Sequence, residues 1–495
     1  MKRNRRYRGI ALLASLVVLS MLSACKDGGN APAAQPSEPA THTDQKEVVP
    51  VTTKTDLHYM LPEGFPYRII GDVHPFYDEK SKTWYMFYLD TSGQFHTKLL
   101  TSKDAVSWKP TDITITGSSQ NYAALGIVES EGKYFSYYAE YLASVSEDLI
   151  HWNYAGIKYV IPQDLVAFPG GMRDPSVTYD PETKRYYSIG LSYPKRGGGE
   201  YVSNLAINQS KGDSLTSWHD AFKTVFQDNF VGHDPEVPQL VKIGDRWYVI
   251  ASIYGNSVHG VGGTSYLIGD PGKNPYEVDW HAKELHTLTS EDLCAAQIVT
   301  FGDRHLLFGW IPKDYTGNTW GGNLNLALEV FAHADGTLGT KMYDGISELI
   351  RGQTAYELAS PVKVTPENGF SFPSAKRMDM ELAFRMTGDE FKLAFADKKV
   401  EIILRDAGAD SAIEIKSNTF TTSVLKLGAD ALSKENRLRV VAEGNIVEVY
   451  LNDEHTAHSR VGLNLGQDTI KLTATGEVQL NKAEVHELKY FEELA

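Results

Sequence analysis

Three carboxylates stand at the start of similar short runs of apolar and aromatic residues. They are Asp72 in "GDVHPFYDEKSKTWYMFYL", Asp174 in "RDPSVTYDPETKRYYSIGLS", and Glu236, with Asp234 beside it, in "DPEVPQLVKIGDRWYVIASIY". Gln297 opens a fourth such run, "CAAQIVTFGDRHLLFGWI", and Arg173 adjoins Asp174. Each taken singly has an ordinary reading, because Asp after Gly or before Pro is a common turn residue. Recurrence at matching points of a repeat carries more weight. Like charges crowded in a low-dielectric pocket cost energy, so three of them converging point to chemistry rather than to stability. Carboxylates whose pKa values are pushed apart are the material of acid–base work.

The elements that must position them are hairpins. A fifth run, "GIVESEGKYFSYYAEYL" from Gly126, has the same form as the other four: an apolar strand, a polar Gly/Asp/Lys turn, and a second strand of aromatic and β-branched residues. The runs recur about every 50 to 60 residues, a spacing that suits propeller blades rather than βαβ units. "TSKDAVSWKP", "SVSEDLIHWNY" and "SKGDSLTSWHD" repeat a Ser/Asp turn before a tryptophan, and no long amphipathic helix intervenes. The pattern predicts an all-β chain, with a five-bladed β-propeller over residues 57–345 whose opening strands face one axis. After residue 346 the tryptophans stop, and short alternating stretches such as "RMDMELAFRM" and "RLRVVAEGNIVEVYLND" predict a C-terminal β-sandwich. No surface cluster of aromatics marks that domain as a sugar binder, so it is expected to brace the propeller.

From about Tyr67 to the C-terminus the chain resembles the family 32 glycoside hydrolases, the invertase, levanase and inulinase group. The family's Arg-Asp-Pro motif stands unchanged as Arg173-Asp174-Pro175, its Glu-Cys-Pro motif as Glu236-Val237-Pro238, and its Ala-Ala-Gln stretch as Ala295-Ala296-Gln297. Its Asn-Asp-Pro-Asn-Gly motif is similar to the stretch around Asp72, and its sandwich signature to the one carrying Glu448, Asn452 and Asp453. The resemblance implies a propeller joined to a sandwich and a retaining double displacement on β-linked fructose, in sucrose, fructo-oligosaccharides, levan or inulin. It makes Asp72 the nucleophile, Glu236 the acid and then base, and Asp174 a stabiliser of the oxocarbenium-like ring. Arg173 is expected to hold carboxylates ionised while Glu236 takes the proton. His74, Gln297, Trp310 and Trp320 complete the expected sugar-binding set, with Phe76, Tyr122 and Tyr254 as further aromatics whose commoner use is core packing. The chain departs from the family at Gly71 and Val73, which replace an asparagine and a proline, at "YAALG" in the second hairpin, and at Leu293-Cys294. These departures bear on the identity of the sugar.

The N-terminus sets the compartment. Lys2, Arg3, Arg5, Arg6 and Arg8 precede the apolar run "IALLASLVVLSML", the form of a secretory signal. The run is short for a membrane span and ends in Leu-Ser-Ala-Cys, which resembles a bacterial lipobox. Residues 1–24 are therefore expected to be removed and Cys25 acylated, giving an exported, lipid-anchored protein with a disordered tether over 25–56. Cys294 is then the only other cysteine, and no disulfide framework is expected. Loss of five basic residues from a net charge of −15 leaves about −20, a surface that does not seek nucleic acid. Neither a metal-ligand spacing nor a nucleotide-binding glycine fingerprint appears, and the expected chemistry needs no cofactor. Two other readings remain open: an inverting family 43-like furanosidase or pentosidase, and a lipoprotein that binds sugar without cleaving it.

Overall fold

The computed structural model describes residues 54–60, 69–91, 95–118, 120–195, 199–227, 234–253, 263–313, 320–395, 397–417, 422–432 and 435–494. The predicted signal, Cys25, most of the tether and Tyr254 lie outside the described residues. Within them the chain is all-β, with one four-residue α-helix, Asp344–Ser347, and four short 3-10 turns. No helix among the described residues is long and apolar enough to cross a membrane.

Five sheets of four or five strands follow one another along the chain, and two larger sheets, of seven and six strands, follow them. The predicted hairpins open the sheets: Gly71–Asp78 pairs with Thr83–Thr91, Ile127–Ser130 with Lys133–Tyr138, Met172–Asp180 with Arg185–Ser192, Glu236–Ile243 with Arg246–Ile253, and Cys294–Phe301 with Arg304–Pro312. The opening strand of the first sheet packs on that of the fifth, the second on the third, the third on the fourth, and the fourth on the fifth. Side chains join the first sheet to the second, where the Tyr134 hydroxyl donates to Asp78 Oδ1 at 3.0 Å.

The Ser/Asp-before-Trp echo is a real turn. In the first sheet Ser102 Oγ accepts from the Ala105 N–H at 3.0 Å and Asp104 Oδ1 from the Val106 N–H at 3.0 Å. In the second, Ser146 accepts from Leu149 at 2.9 Å and Asp148 from Ile150 at 2.9 Å. Ala105 and Leu149 both sit at positive φ, and the following Trp108 and Trp152 are buried in the core. The turn thus reverses the chain and plants an indole between sheets.

One apolar core joins residues of the first, fourth and fifth sheets, such as Trp84, Ile250 and Phe308, to Val441, Ile446 and Tyr450 of the larger sheets. A second core, with Phe384, Phe391, Val449 and Leu472, belongs to the two larger sheets alone.

Candidate active site

Four of the five opening strands carry a β-bulge near their start. The pairing register shifts between Gly71 and His74, between Arg173 and Ser176, between Glu236 and Gln239, and between Cys294 and Gln297. In each, the residue after the last regular pair is left-handed: Asp72 at φ 38°, Asp174 at 53°, Val237 at 49° and Ala295 at 46°. Non-glycine residues reach this region at a cost of about 1–2 kcal/mol each, and bulges of this kind re-aim side chains beside functional sites.

The shared bulge corrects the sequence alignment of the repeats. Asp72 and Asp174 are equivalent, whereas Glu236 sits one residue earlier, at the position of Gly71, Arg173 and Cys294, and Gln297 matches His74 two residues after Asp72. Backbone alternation alone would send Glu236 and the two aspartates to different sides; the left-handed residue that follows Glu236 turns it into the same site.

Arg173 is the hub. Its Nη1 donates to Asp174 Oδ2 at 2.5 Å, its Nη2 to Asp234 Oδ2 and Glu236 Oε1 at 2.8 Å each, and its Nε to the Tyr193 hydroxyl at 3.0 Å. The Tyr193 hydroxyl donates to Asp234 Oδ2 at 2.7 Å, and Ser203 donates to Asp234 Oδ1. The Val237 N–H lies near enough to Asp174 to favour its charged form. Asp174 and Glu236 remain partly open to solvent, at 27% and 40% of the side chain. Asp234 was only noted beside Glu236 in the sequence, and Tyr193 and Ser203 were not singled out. Tyr193 lies one residue past the strand that pairs with Arg173, and its direction toward the guanidinium has no signature in the local sequence.

Asp72 is held differently. Burial and the nearby charges of Glu236 and Asp174 push its carboxyl up to about 8. The Trp310 indole N–H favours the charged form but lies outside hydrogen-bond geometry, and Arg173 acts on it only through space. Val237, Cys294, Ala295, Trp310 and the flank of Trp320 form the apolar wall beside it. Burial raises Asp174 and Glu236 too, but Arg173 opposes that push at both. Arg173 hydrogen-bonds Glu236, whereas Asp72 is the carboxyl without a guanidinium contact. Three carboxylates, Asp174, Asp234 and Glu236, share this one guanidinium.

His74 and Gln297 come together from the first and fifth sheets, both buried. Burial lowers His74 to about 4, so the ring is neutral, and its Nδ1 and the Gln297 Nε2 make no hydrogen bond within the protein. Trp310 is buried and Trp320 partly so, their ring centroids 6.0 Å apart. Tyr122 lies close enough to Asp174 to feel its charge. Among the described residues no cluster of His, Cys, Asp and Glu has the arrangement of a metal site.

No protein-family model and no curated protein matches the chain. Solved structures do. The β-fructofuranosidase of Schwanniomyces occidentalis complexed with fructosyl-erythritol is 16% identical, with a TM-score of 0.65 over 88% of this chain and 98% of that one. The exo-inulinase of Aspergillus awamori is 14% identical, with a TM-score of 0.66 over 89% and 99%. The fructan 1-exohydrolase IIa of Cichorium intybus is 14% identical, with a TM-score of 0.67 over 87% and 97%. The group of enzymes that the motifs resemble is thus the group whose solved structures this chain matches, and the likeness establishes that it shares their fold over nearly nine-tenths of its length.

Proposed function

We propose that the protein is a glycoside hydrolase that releases β-linked fructose from sucrose, fructo-oligosaccharides or fructans by a retaining double displacement. The five smaller sheets are, on this reading, the blades of a closed propeller, and the two larger ones a sandwich bracing it. The single observation that carries the proposal is the meeting of Asp72, Asp174 and Glu236 from three sheets, two of them on strained bulges, within a fold shared with enzymes named for fructosides. Strain and crowded like charge are costs that a purely structural role would not retain.

In the first step Asp72 Oδ attacks the anomeric carbon, the glycosidic C–O bond breaks, and Glu236 gives its proton to the departing oxygen. In the second, Glu236 takes a proton from water, whose oxygen displaces Asp72 and frees the sugar. Asp174, held by Arg173, accepts from ring hydroxyls whose bonds strengthen as positive charge develops. The pair Asp72 and Glu236 must carry one proton between them, and the reactive form has it on Glu236. Export and lipid anchoring at Cys25 complete the proposal and place the enzyme outside the cytoplasm.

A second reading, sugar binding without cleavage, draws on one feature: Asp72 keeps its proton up to a pH of about 8. Assay on sucrose, inulin and levan separates the two. Free fructose is expected, abolished by Asp72→Asn and reduced about 10²- to 10⁴-fold by Glu236→Gln; turnover that survives both substitutions contradicts the assignment. The first anomer released, followed by NMR, is expected to keep the configuration of the substrate, whereas inversion favours a family 43-like mechanism.

A further inference from the structure

The seven-stranded sheet ends in the strand His455–Arg460, which among the described residues pairs within that sheet on one side only, with Ile446–Leu451. An open sheet edge is a template for unwanted pairing and is ordinarily covered. Here the fifth sheet and the segment leading into it supply the cover. Thr456 bridges Thr289, and Ser290 Oγ accepts from the His458 N–H at 2.8 Å and donates to the His458 carbonyl at 3.0 Å. Ser290 stands shortly before Cys294, where one of the four bulges begins. At the end of the strand Arg460 is buried and uses all three guanidinium nitrogens. Its Nη1 donates to Asn445 Oδ1, in a turn of its own sheet, while Nε donates to the Pro312 carbonyl and Nη2 to Asn323 Oδ1 at 2.6 Å, both in the fifth sheet.

Pro312 and Asn323 lie on paired strands, Arg304–Pro312 and Gly322–Leu324, so one guanidinium ties both. Asn323 hands the contact on. Its Nδ2 donates to the His58 carbonyl at 2.8 Å, and its neighbour Gly322 exchanges both backbone bonds with Ile70, at 2.8 and 3.0 Å. Gly322 fits there only because it lacks a side chain, since a Cβ would run into the Ile311 carbonyl oxygen. From Ile70 the chain passes directly into Gly71 and the left-handed Asp72. Hydrogen bonds and main chain thus connect Arg460 to the bulge without a gap. A non-glycine residue at positive φ persists only where its surroundings over-determine it. Covering a sheet edge asks for bulk and paired backbone groups, not for a buried guanidinium whose planar fork spans two strands. We propose that Arg460 is a positioning residue for Asp72: from the larger sheets it fixes the strand to which the lead-in of the bulge is bonded, and so sets where the nucleophilic carboxyl points. The larger sheets then act on the catalytic geometry as well as on stability. This rests on the hydrolase reading above.

The test separates positioning from bracing. kcat, KM and denaturant melts across a pH series are measured for the natural protein, Arg460→Met, Arg460→Lys and, as a control for bracing alone, Arg439→Met. Arg439 also reaches out from the larger sheets, but to Ser347 in the short helix that follows the fifth sheet. Lysine keeps the charge and loses the fork, so the test stands even where the methionine variant does not fold. The Arg460 variants are expected to lose about 10- to 100-fold in kcat on sucrose and inulin, with KM changed less than about 3-fold. The pH at which Asp72 loses its proton is read from the melts as the pH-dependent difference from the same variant carrying Asp72→Asn. It should move lower in the Arg460 variants, as the carboxyl leaves its buried seat. Arg439→Met should melt earlier with kcat and that pH unchanged. Arg460 variants that only melt earlier, or an Arg439 variant that loses as much in kcat, overturn the proposal. A shifted Asp72 titration in a protein that turns over no fructoside upholds the positioning and contradicts only the hydrolase reading.

Discussion

The carboxyl of Asp72 has two consequences that can be measured. Its folded pKa of about 8 stands above the ordinary 3.8, so between those values the folded protein binds a proton that the unfolded chain has released. The stability contributed by this group is therefore fully present below pH 4 and is lost as pH rises through about 8. Asp72→Asn is expected to be more stable than the natural protein at pH 8 to 9, by about 1–2 kcal/mol, with the difference vanishing below about pH 4. Glu236→Gln removes one of the two neighbouring negative charges and should shift that pH-dependent loss toward lower pH; an unchanged midpoint in a pH series of denaturant melts would show that Glu236 does not act on Asp72. The three carboxylates were legible in the sequence because each opens a repeated run. Their charge states were not, because these depend on which of them Arg173 reaches, and Arg173 bonds groups sixty or more residues away.

At the scale of the strand, the bulge is the device that builds the site. It adds a residue that alternation does not announce, which is why a motif-by-motif reading put Glu236 level with Asp72 when it stands one position earlier. The hairpins and Ser/Asp turns were legible, since turn residues and aromatic strands sit side by side in the sequence. A Cβ at Gly71 would lie 2.2 to 2.5 Å from three carbons of the Trp320 ring, a close approach visible in the sequence only as a missing side chain. Gly71→Ala forces a methyl into the Trp320 ring and is expected to cost about 1–3 kcal/mol of stability through overpacking. Differential scanning calorimetry checks this. A variant as stable as the natural protein would show that Trp320 does not occupy the place above Gly71.

At the scale of the molecule, the segment around His58 ties the first described residues to the larger sheets. The His58 N–H and Nδ1 both meet Glu443 Oε2 at 2.9 Å, and Nε2 lies 3.3 Å from Glu448 Oε1, with all three side chains buried. Arg377 bonds Glu443 and lies 3.6 Å over the Tyr490 ring, while Glu448 also accepts from the Tyr450 hydroxyl and the Leu326 N–H. The two glutamates raise His58 to about 10, so its contribution to stability is complete below pH 6.5 and fades as pH climbs through about 10. Glu443, lowered to about 2, contributes above pH 4.5 and fades as pH falls through about 2. Removing one partner of a buried pair strands the other, so His58→Ala should cost about 3–5 kcal/mol, seen as a lower Tm at pH 7 and a smaller drop toward pH 10. None of this was legible beforehand: Glu448 stood out only as part of a signature, and His58 comes from the other end of the chain. The central claim remains that the three carboxylates cleave a fructoside bond, and fructose release from sucrose, inulin and levan by the purified protein, beside its Asp72→Asn variant, tests it most directly. The account predicts fructose from the natural protein and none from the variant; saccharide binding with no fructose from either would contradict it.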